Sequence, residues 1–337
     1  MKIVVFGDER RLGAIEPVGV VDVSEAFAAV ARDRSEDVEN DHGEPRVPDR
    51  LRTFIEAGQQ ALEDARQALG AAAAMSASDV GPTGRRIVYE PGAVRLHAPW
   101  PGGRIACAGG NYADHLARML ANLGEEPPRS LEVTAADARA SGQWGFWKIV
   151  DEVAGPGDVI PKPRRTQRFD YEGEVAIVLG RAAKDIALDR AAACIWGVTL
   201  VNDWSIRDGI GRARPMSYNL AKNFDGCVSM GPCIVVDEDP ANIDVTVRVN
   251  GELRQSFNSS SMIFSFGEIL AEISRDLTLH PGDVVSGGTA AGTAADSSKP
   301  DANGAVSSEL FLDPGDVVEL SSPQIGTMIN SIVEPAP

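Results

Sequence analysis

Two glutamates separated by one residue head an apolar run. They are Glu172 and Glu174 in Asp170-Tyr171-Glu172-Gly173-Glu174, followed by Val175 to Leu179. In an extended chain, residues two apart point to the same face. Two carboxylates on one face resist burial unless something cationic joins them. A divalent metal is the natural partner. Asp203, after the next apolar run, offers a third oxygen ligand. The competing reading is a solvated acidic rim, because such pairs are common in acidic chains.

Other residues carry chemistry-bearing groups. His115 is one of four histidines and stands just after Gly109-Gly110-Asn111. At a loop-to-helix junction an imidazole can serve as a base, or it can cap and hydrogen-bond within the fold. Lys148 follows Trp144-Gly145-Phe146-Trp147, and Lys222 lies among Leu220, Ala221 and Phe224. Each lysine either snorkels to the surface or stabilises a carboxylate or enolate. Arg207 follows Asp203 by four residues and either binds an anionic substrate or pairs with the carboxylates. The run Gly287-Gly288-Thr289-Ala290-Ala291-Gly292-Thr293 either forms an anion-binding nest or turns between two strands. Asp296 and the polar residues after it read as a solvated loop.

These groups need elements to hold them. Strands are expected at 1–7, in one or two pieces at 12–24, and at 105–108, 175–179, 195–201, 233–236, 245–249 and 317–320. Pro-Gly-Asp recurs at 156–158, 281–283 and 314–316, each time before apolar residues, which predicts three tight turns feeding strands. A helix is expected from Asp49, acting as its cap, to about Ala74, with Leu51, Phe54, Ile55, Leu62 and Leu69 on one face. Further helical stretches are expected at 112–123, 185–193 and 262–277. Residues 1–102 read as a small N-terminal α+β module that frames a larger unit at 103–337. A partly helical, lid-like insertion is expected at 118–143.

The 337 residues can bury a substantial core. The net charge of -17 argues against general nucleic-acid binding and against an anionic membrane surface. No secretory signal is evident, and no run of 18 apolar residues predicts a membrane span. Cys107, Cys194, Cys227 and Cys233 lack zinc-like spacing and read as core thiols, in keeping with a cytoplasmic compartment. There is no G-x-G-x-x-G after the first strand, no Walker A loop and no H-E-x-x-H.

Taken together and in order, several motifs resemble the fumarylacetoacetate hydrolase superfamily. They are Cys107-Ala108-Gly109-Gly110-Asn111-Tyr112-Ala113-Asp114-His115, Gly155-Pro156-Gly157-Asp158, Asp170 to Glu174, Asn202 to Asp208, Lys222-Asn223-Phe224-Asp225, Asn250-Gly251-Glu252 with Arg254-Gln255, and Gly288-Thr289. The resemblance covers roughly residues 103–332. It implies a mixed β/α+β fold: a β-sandwich roll with a smaller N-terminal α+β domain, as a homodimer. It implies Mg2+, replaceable by Mn2+ or Ca2+, on Glu172, Glu174 and Asp203. It implies a small keto-acid substrate whose oxygens complete the metal shell, contacted by Arg207, Gln255 and Tyr112. Lys148, Lys222 and Thr289 would stabilise an enolate, and His115 would activate water. The reaction so implied is hydrolysis of a carbon–carbon bond in an acylpyruvate or fumarylacetoacetate-like oxo acid. The same enolate serves an isomerase, a decarboxylase or a dehydratase.

Departures weigh on that choice. Hydrolytic relatives commonly place a glutamate three residues after the histidine, where this chain has Arg118, and a guanidinium cannot act as base or acceptor. Glu125, Glu126, Glu132 and Asp137 in the insertion are candidates for that carboxylate, and the sequence does not show which of them, if any, supplies it. Gly-Thr-Pro becomes Gly288-Thr289-Ala290, and a usual glutamine becomes Ile210. Arg118 therefore moves weight toward isomerase or lyase chemistry. A third reading is a non-catalytic protein on the same fold, against which the retained ligands, lysines and histidine argue.

Overall fold

The computed structural model describes residues 1–122, 130–208, 217–298 and 307–335. Among them, the strand Gly173–Leu179 is buried at every position. Its odd residues Val175, Ile177 and Leu179 join one apolar cluster, and Ala176 and Val178 join another. A strand covered on both faces needs apolar residues on both, so the run is continuous rather than alternating. It pairs antiparallel with Ile195–Asp203 on one side and with Val284–Thr289 on the other.

These strands form the middle of an 11-stranded sheet. Beyond Ile195–Asp203 it continues through Val228–Val235, Lys2–Phe6, Arg11–Glu16 and Gly19–Asp22 to the short Val88–Tyr89. Beyond Val284–Thr289 it ends with Ile105–Gly109, a parallel neighbour, and then Trp144–Lys148. The N-terminal strands thus join the main sheet directly, through Lys2 and Ile3 opposite Val235 and Ile234.

A second, five-stranded sheet packs on one face. Its order is Glu252–Asn258, Asp244–Val249, Val317–Ser322, Gly326–Val333 and Val159–Pro161. Val245, Val247, Leu320 and Met328 meet Val175, Ile177 and Leu200 between the sheets. On the other face the helices Val23–Arg34 and Leu51–Ala72 cover Ile3, Ala176, Val178 and Val201. This is the mixed β/α+β sandwich expected. All three Pro-Gly-Asp turns lead into strands, at Val159, Val284 and Val317.

Two local expectations need correction. Asp49 does not cap a helix: the second helix starts at Leu51 after Arg50, which makes no side-chain cap bond. Asp49 instead accepts from Arg11 Nη1 at 2.8 Å, inside a network in which Arg11 also pairs with buried Asp22. A buried guanidinium needs more acceptors than one carboxylate offers, and that demand outcompetes the cap. The helix is also interrupted at Gly58, whose φ of 76° no helical residue adopts. Within the expected insertion, Leu131–Ser141 is a helix capped by Ser130. Residues 123–129, with Glu125 and Glu126, and Ile210 lie outside the described residues.

Candidate active site

Glu174 and Asp203 belong to the parity of Ala176, Val178 and Val201, so both extend the face that packs on the N-terminal helices. Glu172 precedes the strand and is pinned by its backbone. Its N–H donates to the Asn202 side chain at 2.9 Å, and its carbonyl accepts from Asp203 N at 2.9 Å. The result brings Glu172, Glu174 and Asp203 together, all buried, with one oxygen of each within 4.8 Å of the others. The solvated-rim reading of this acidic pair is thereby overturned.

Three cations line the cluster. Lys222 Nζ lies 2.6 Å from Glu172 Oε2 and 2.7 Å from Asp203 Oδ2, and also donates to Ser205 Oγ at 2.7 Å. Lys148 Nζ lies 2.5 Å from Asp203 Oδ1. Arg207 bridges Asp170 at 2.8 Å and Glu172 at 2.5 Å. Neither lysine snorkels outward, and Arg207 pairs with carboxylates. Ser286 Oγ donates to Glu174.

Burial sets the electrostatics. It penalises ionised Glu172, but Lys222 and Arg207 outweigh it and hold that carboxyl below its usual range. For Glu174, burial and then the charges of Asp203 and Glu172 push the pKa well above that range. Burial works against charged Lys148, yet Asp203 more than offsets it and the ammonium is favoured. Burial of all three carboxylates, with shifts opposed at Glu172 and Glu174, distinguishes this cluster from a solvated surface rim.

The donor chemistry fits a hard divalent ion: three oxygen ligands, no thiolate and no imidazole among them. His115 stands apart from these ligands. Its Nδ1 meets Asp296 Oδ2 at 2.8 Å, with both side chains buried. Burial lowers the imidazole pKa, but the Asp296 charge and hydrogen bond raise it above the ordinary histidine value, with Glu172 adding to the rise.

Asp296 corrects one expectation and narrows another. It is buried rather than in a solvated loop, and of the insertion's candidate carboxylates Glu132 and Asp137 are exposed, while Glu125 and Glu126 lie outside the described residues. Asp296 is the third residue of the short helix Ala294–Ser297, whose cap Thr293 accepts from Asp296 N. Thr293-Ala-Ala-Asp296 is the Ser/Thr-x-x-acid signature of a helix start, the signal that would have revealed it. Asp170 holds the same helix, accepting from Ala294 N at 2.8 Å and Ala295 N at 3.1 Å.

A match to the family description "Fumarylacetoacetate (FAA) hydrolase C-terminal" spans residues 104–333. The chain belongs to the fumarylacetoacetate hydrolase family. Among curated fumarylacetoacetate hydrolase relatives, the oxaloacetate tautomerase FAHD2B, mitochondrial, of Homo sapiens is 30% identical over 295 residues, 86% of this chain and 82% of that protein. The oxaloacetate tautomerase YisK of Bacillus subtilis is 33% identical over 254 residues, 73% of this chain and 75% of that protein. The fumarylacetoacetate hydrolase of Exiguobacterium antarcticum superposes with a TM-score of 0.70 at 28% identity, covering 99% of this chain and 100% of that one. This chain is therefore an enzyme of the fumarylacetoacetate hydrolase family, with an acidic cluster able to hold a metal.

The remaining expected residues are placed around the cluster. Thr289 Oγ1 donates to Gly173 O at 2.9 Å and accepts from Gln255 Nε2 at 2.9 Å. Gln255 also bonds Ala290 O at 2.7 Å and Gly173 N at 3.0 Å, so its amide ties the second sheet to the metal-ligand strand. Of the Gly287–Thr293 amides, Gly292 N is directed to Asp296. Tyr112 is buried against Phe257, with ring centroids 5.2 Å apart, and its hydroxyl has no hydrogen-bond partner among the described residues.

Proposed function

We propose that this enzyme is a metal-dependent keto–enol tautomerase of a small 2-oxo dicarboxylic acid, with oxaloacetate as the first substrate to test. The observation that carries the reading is the cluster Glu172, Glu174 and Asp203 flanked by two buried ammonium groups, in a chain related to two oxaloacetate tautomerases. Mg2+, or Mn2+ or Ca2+, held by those three carboxylates would polarise the substrate's carboxylate and keto oxygens.

The chain's own groups do the rest. In a tautomerase a proton leaves the carbon next to the keto group and a proton is delivered to the oxygen. No bond between heavy atoms breaks and no water is consumed. His115, oriented by Asp296, is the proton acceptor. Lys148 and Lys222 stabilise the negative oxygen that forms. Thr289 and Gln255 shape the wall at Gly173, Arg207 holds Glu172 toward the cluster, and Tyr112 contacts the substrate. Such chemistry has no need of the glutamate that Arg118 replaces.

Hydrolysis of an acylpyruvate or fumarylacetoacetate-like oxo acid is the second reading. The His115–Asp296 pair favours it, because an imidazole backed by a carboxylate also activates water. One experiment separates the two. Metal-loaded protein is incubated with oxaloacetate, acylpyruvates and unsaturated hydroxy diacids, and products are followed by absorbance and mass spectrometry. Accelerated keto–enol exchange of oxaloacetate at unchanged mass, abolished by chelator, is the expected result. Release of two acids from an acylpyruvate, with no acceleration of that exchange, would replace the proposal by the hydrolase reading.

We also infer a homodimer, which light scattering on the purified protein tests, and a division of labour in which residues 1–102 frame a catalytic unit at 103–337. No described helix is long and apolar enough to cross a membrane. The four cysteines are free and buried, which supports a reducing, cytoplasmic compartment.

A further inference from the structure

The two lysines at the cluster arrive on different elements. Lys148 ends the edge strand Trp144–Lys148, and Lys222 ends the short helix Ser217–Lys222. Both ammonium groups reach Asp203, one at each oxygen. Something must hold the strand end and the helix end in register.

The side chain of Asn223 does this. Its Oδ1 accepts from Ile149 N at 2.5 Å, and its Nδ2 donates to Trp147 O at 3.3 Å. These are the backbone groups on either side of Lys148. Nδ2 also donates to Asn219 O at 3.0 Å, closing the helix that carries Lys222. One amide therefore grips both neighbours of one lysine while its own backbone adjoins the other. From the opposite side, Arg165 Nη2 donates to Leu220 O and lies 3.5 Å from Asn223 O. A planar amide offers the donor and the acceptor that such a strand-like pairing uses.

We propose that Asn223 is a positioning residue that sets the separation of Lys148 and Lys222 about Asp203. It touches neither substrate nor metal ligand in this role, which rests on the tautomerase reading for its catalytic consequence. Its geometric half stands independently of that reading.

The test compares wild type with Asn223→Ala and Asn223→Asp. Asp keeps the acceptor for Ile149 N–H and loses the donor to Trp147 and Asn219. In Asn223→Ala, amide exchange at Ile149 accelerates roughly tenfold, the effect of one hydrogen bond, and stays slow in Asn223→Asp. Labelling of Lys148 and Lys222 by an amine reagent, read by mass spectrometry, rises in Asn223→Ala. The kcat for oxaloacetate exchange falls about tenfold in Asn223→Ala, as misplacement of a reacting group does, and recovers in part in Asn223→Asp. KM, Mn2+ affinity and thermal midpoint stay near wild type.

Unchanged exchange at Ile149 and unchanged lysine labelling in Asn223→Ala would overturn the proposal, whatever the activity. Faster exchange with unchanged kcat would overturn it as well, as would a fall in kcat matched by an equal loss of Mn2+ affinity. Wild-type protein without oxaloacetate turnover would instead overturn the tautomerase reading, and exchange and labelling would then decide the clasp. Should Asn223→Ala fail to fold, Asn223→Asp is read by raised amine labelling of Lys148 and Lys222 and by a smaller fall in kcat, and wild-type values of both would overturn the proposal.

Discussion

Glu174 and His115 show how one residue's surroundings set its task. Glu172 and Asp203 each accept from two cationic side chains, whereas Glu174 accepts from the neutral Ser286 hydroxyl. Glu174 is thus the ligand whose charge a divalent ion most relieves. Glu174→Ala is expected to abolish metal-dependent turnover and to weaken Mn2+ binding, measured by electron paramagnetic resonance titration. Equal turnover in that variant would refute the site assignment. For His115, Asp296→Asn keeps the shape and removes the charge. Burial then acts without its main opponent, and the His115 pKa falls, as an NMR titration would show. The acid limb of the rate profile moves to lower pH with it, because the base stays neutral further down. The linkage has the same origin. A histidine pKa raised by folding stabilises the native state fully below the unfolded value of about 6.5, and that contribution is lost as pH rises through the folded value. Asp296→Asn therefore loses stability mainly at acid pH.

Strands place these residues, and the packing between sheets places the strands. Gly173 shows the tolerance involved. A Cβ there would stand 2.4 Å from Val247 Cγ2 and 2.9 Å from Leu320 Cδ1, both on the second sheet. Gly173→Val is expected to lower stability by about 1–3 kcal/mol through overpacking, read by urea unfolding. It should also cut turnover, since Gly173 bonds Gln255 and Thr289 and adjoins both glutamates. A variant as stable and active as wild type would show that the sheets can part here. The strand itself was legible as an unbroken apolar run, and each Pro-Gly-Asp turn announced the strand after it. Asp49 misled, because a helix cap and an ion-pair partner look alike in one dimension. Arg11, 38 residues away, decides between them.

A metal held at this cluster would be coupled to the fold of the whole molecule. The cluster is buried near the middle of the main sheet, in contact with both halves of the chain, and a ligand that binds only the folded form stabilises all of it. At a hundredfold excess over its dissociation constant, Mg2+ is expected to add about 2.7 kcal/mol. The thermal midpoint should rise accordingly and return with chelator. An unchanged midpoint at saturating Mg2+ would argue that no ion is held there. The net charge of -17 makes a chance acidic pair common, and burial within one cluster with Asp203 is what sets Glu172 and Glu174 apart from the exposed carboxylates.

Periodicity and residue order are local properties of a chain. They were enough for the buried strands, for the Glu172-x-Glu174 pair and, through ordered motifs, for Asp203, Lys148 and Lys222 beside it. Contacts across long separations follow no local pattern. Asp296 reaches His115 across 181 residues, and Asn223 reaches Ile149 across 74. Which carboxylate orients the base, and which amide spaces the lysines, is decided only when the strand ends and short helices around the cluster pack together. Burial there makes each polar group find a partner, and the partner is whichever group the fold has brought within 3 Å.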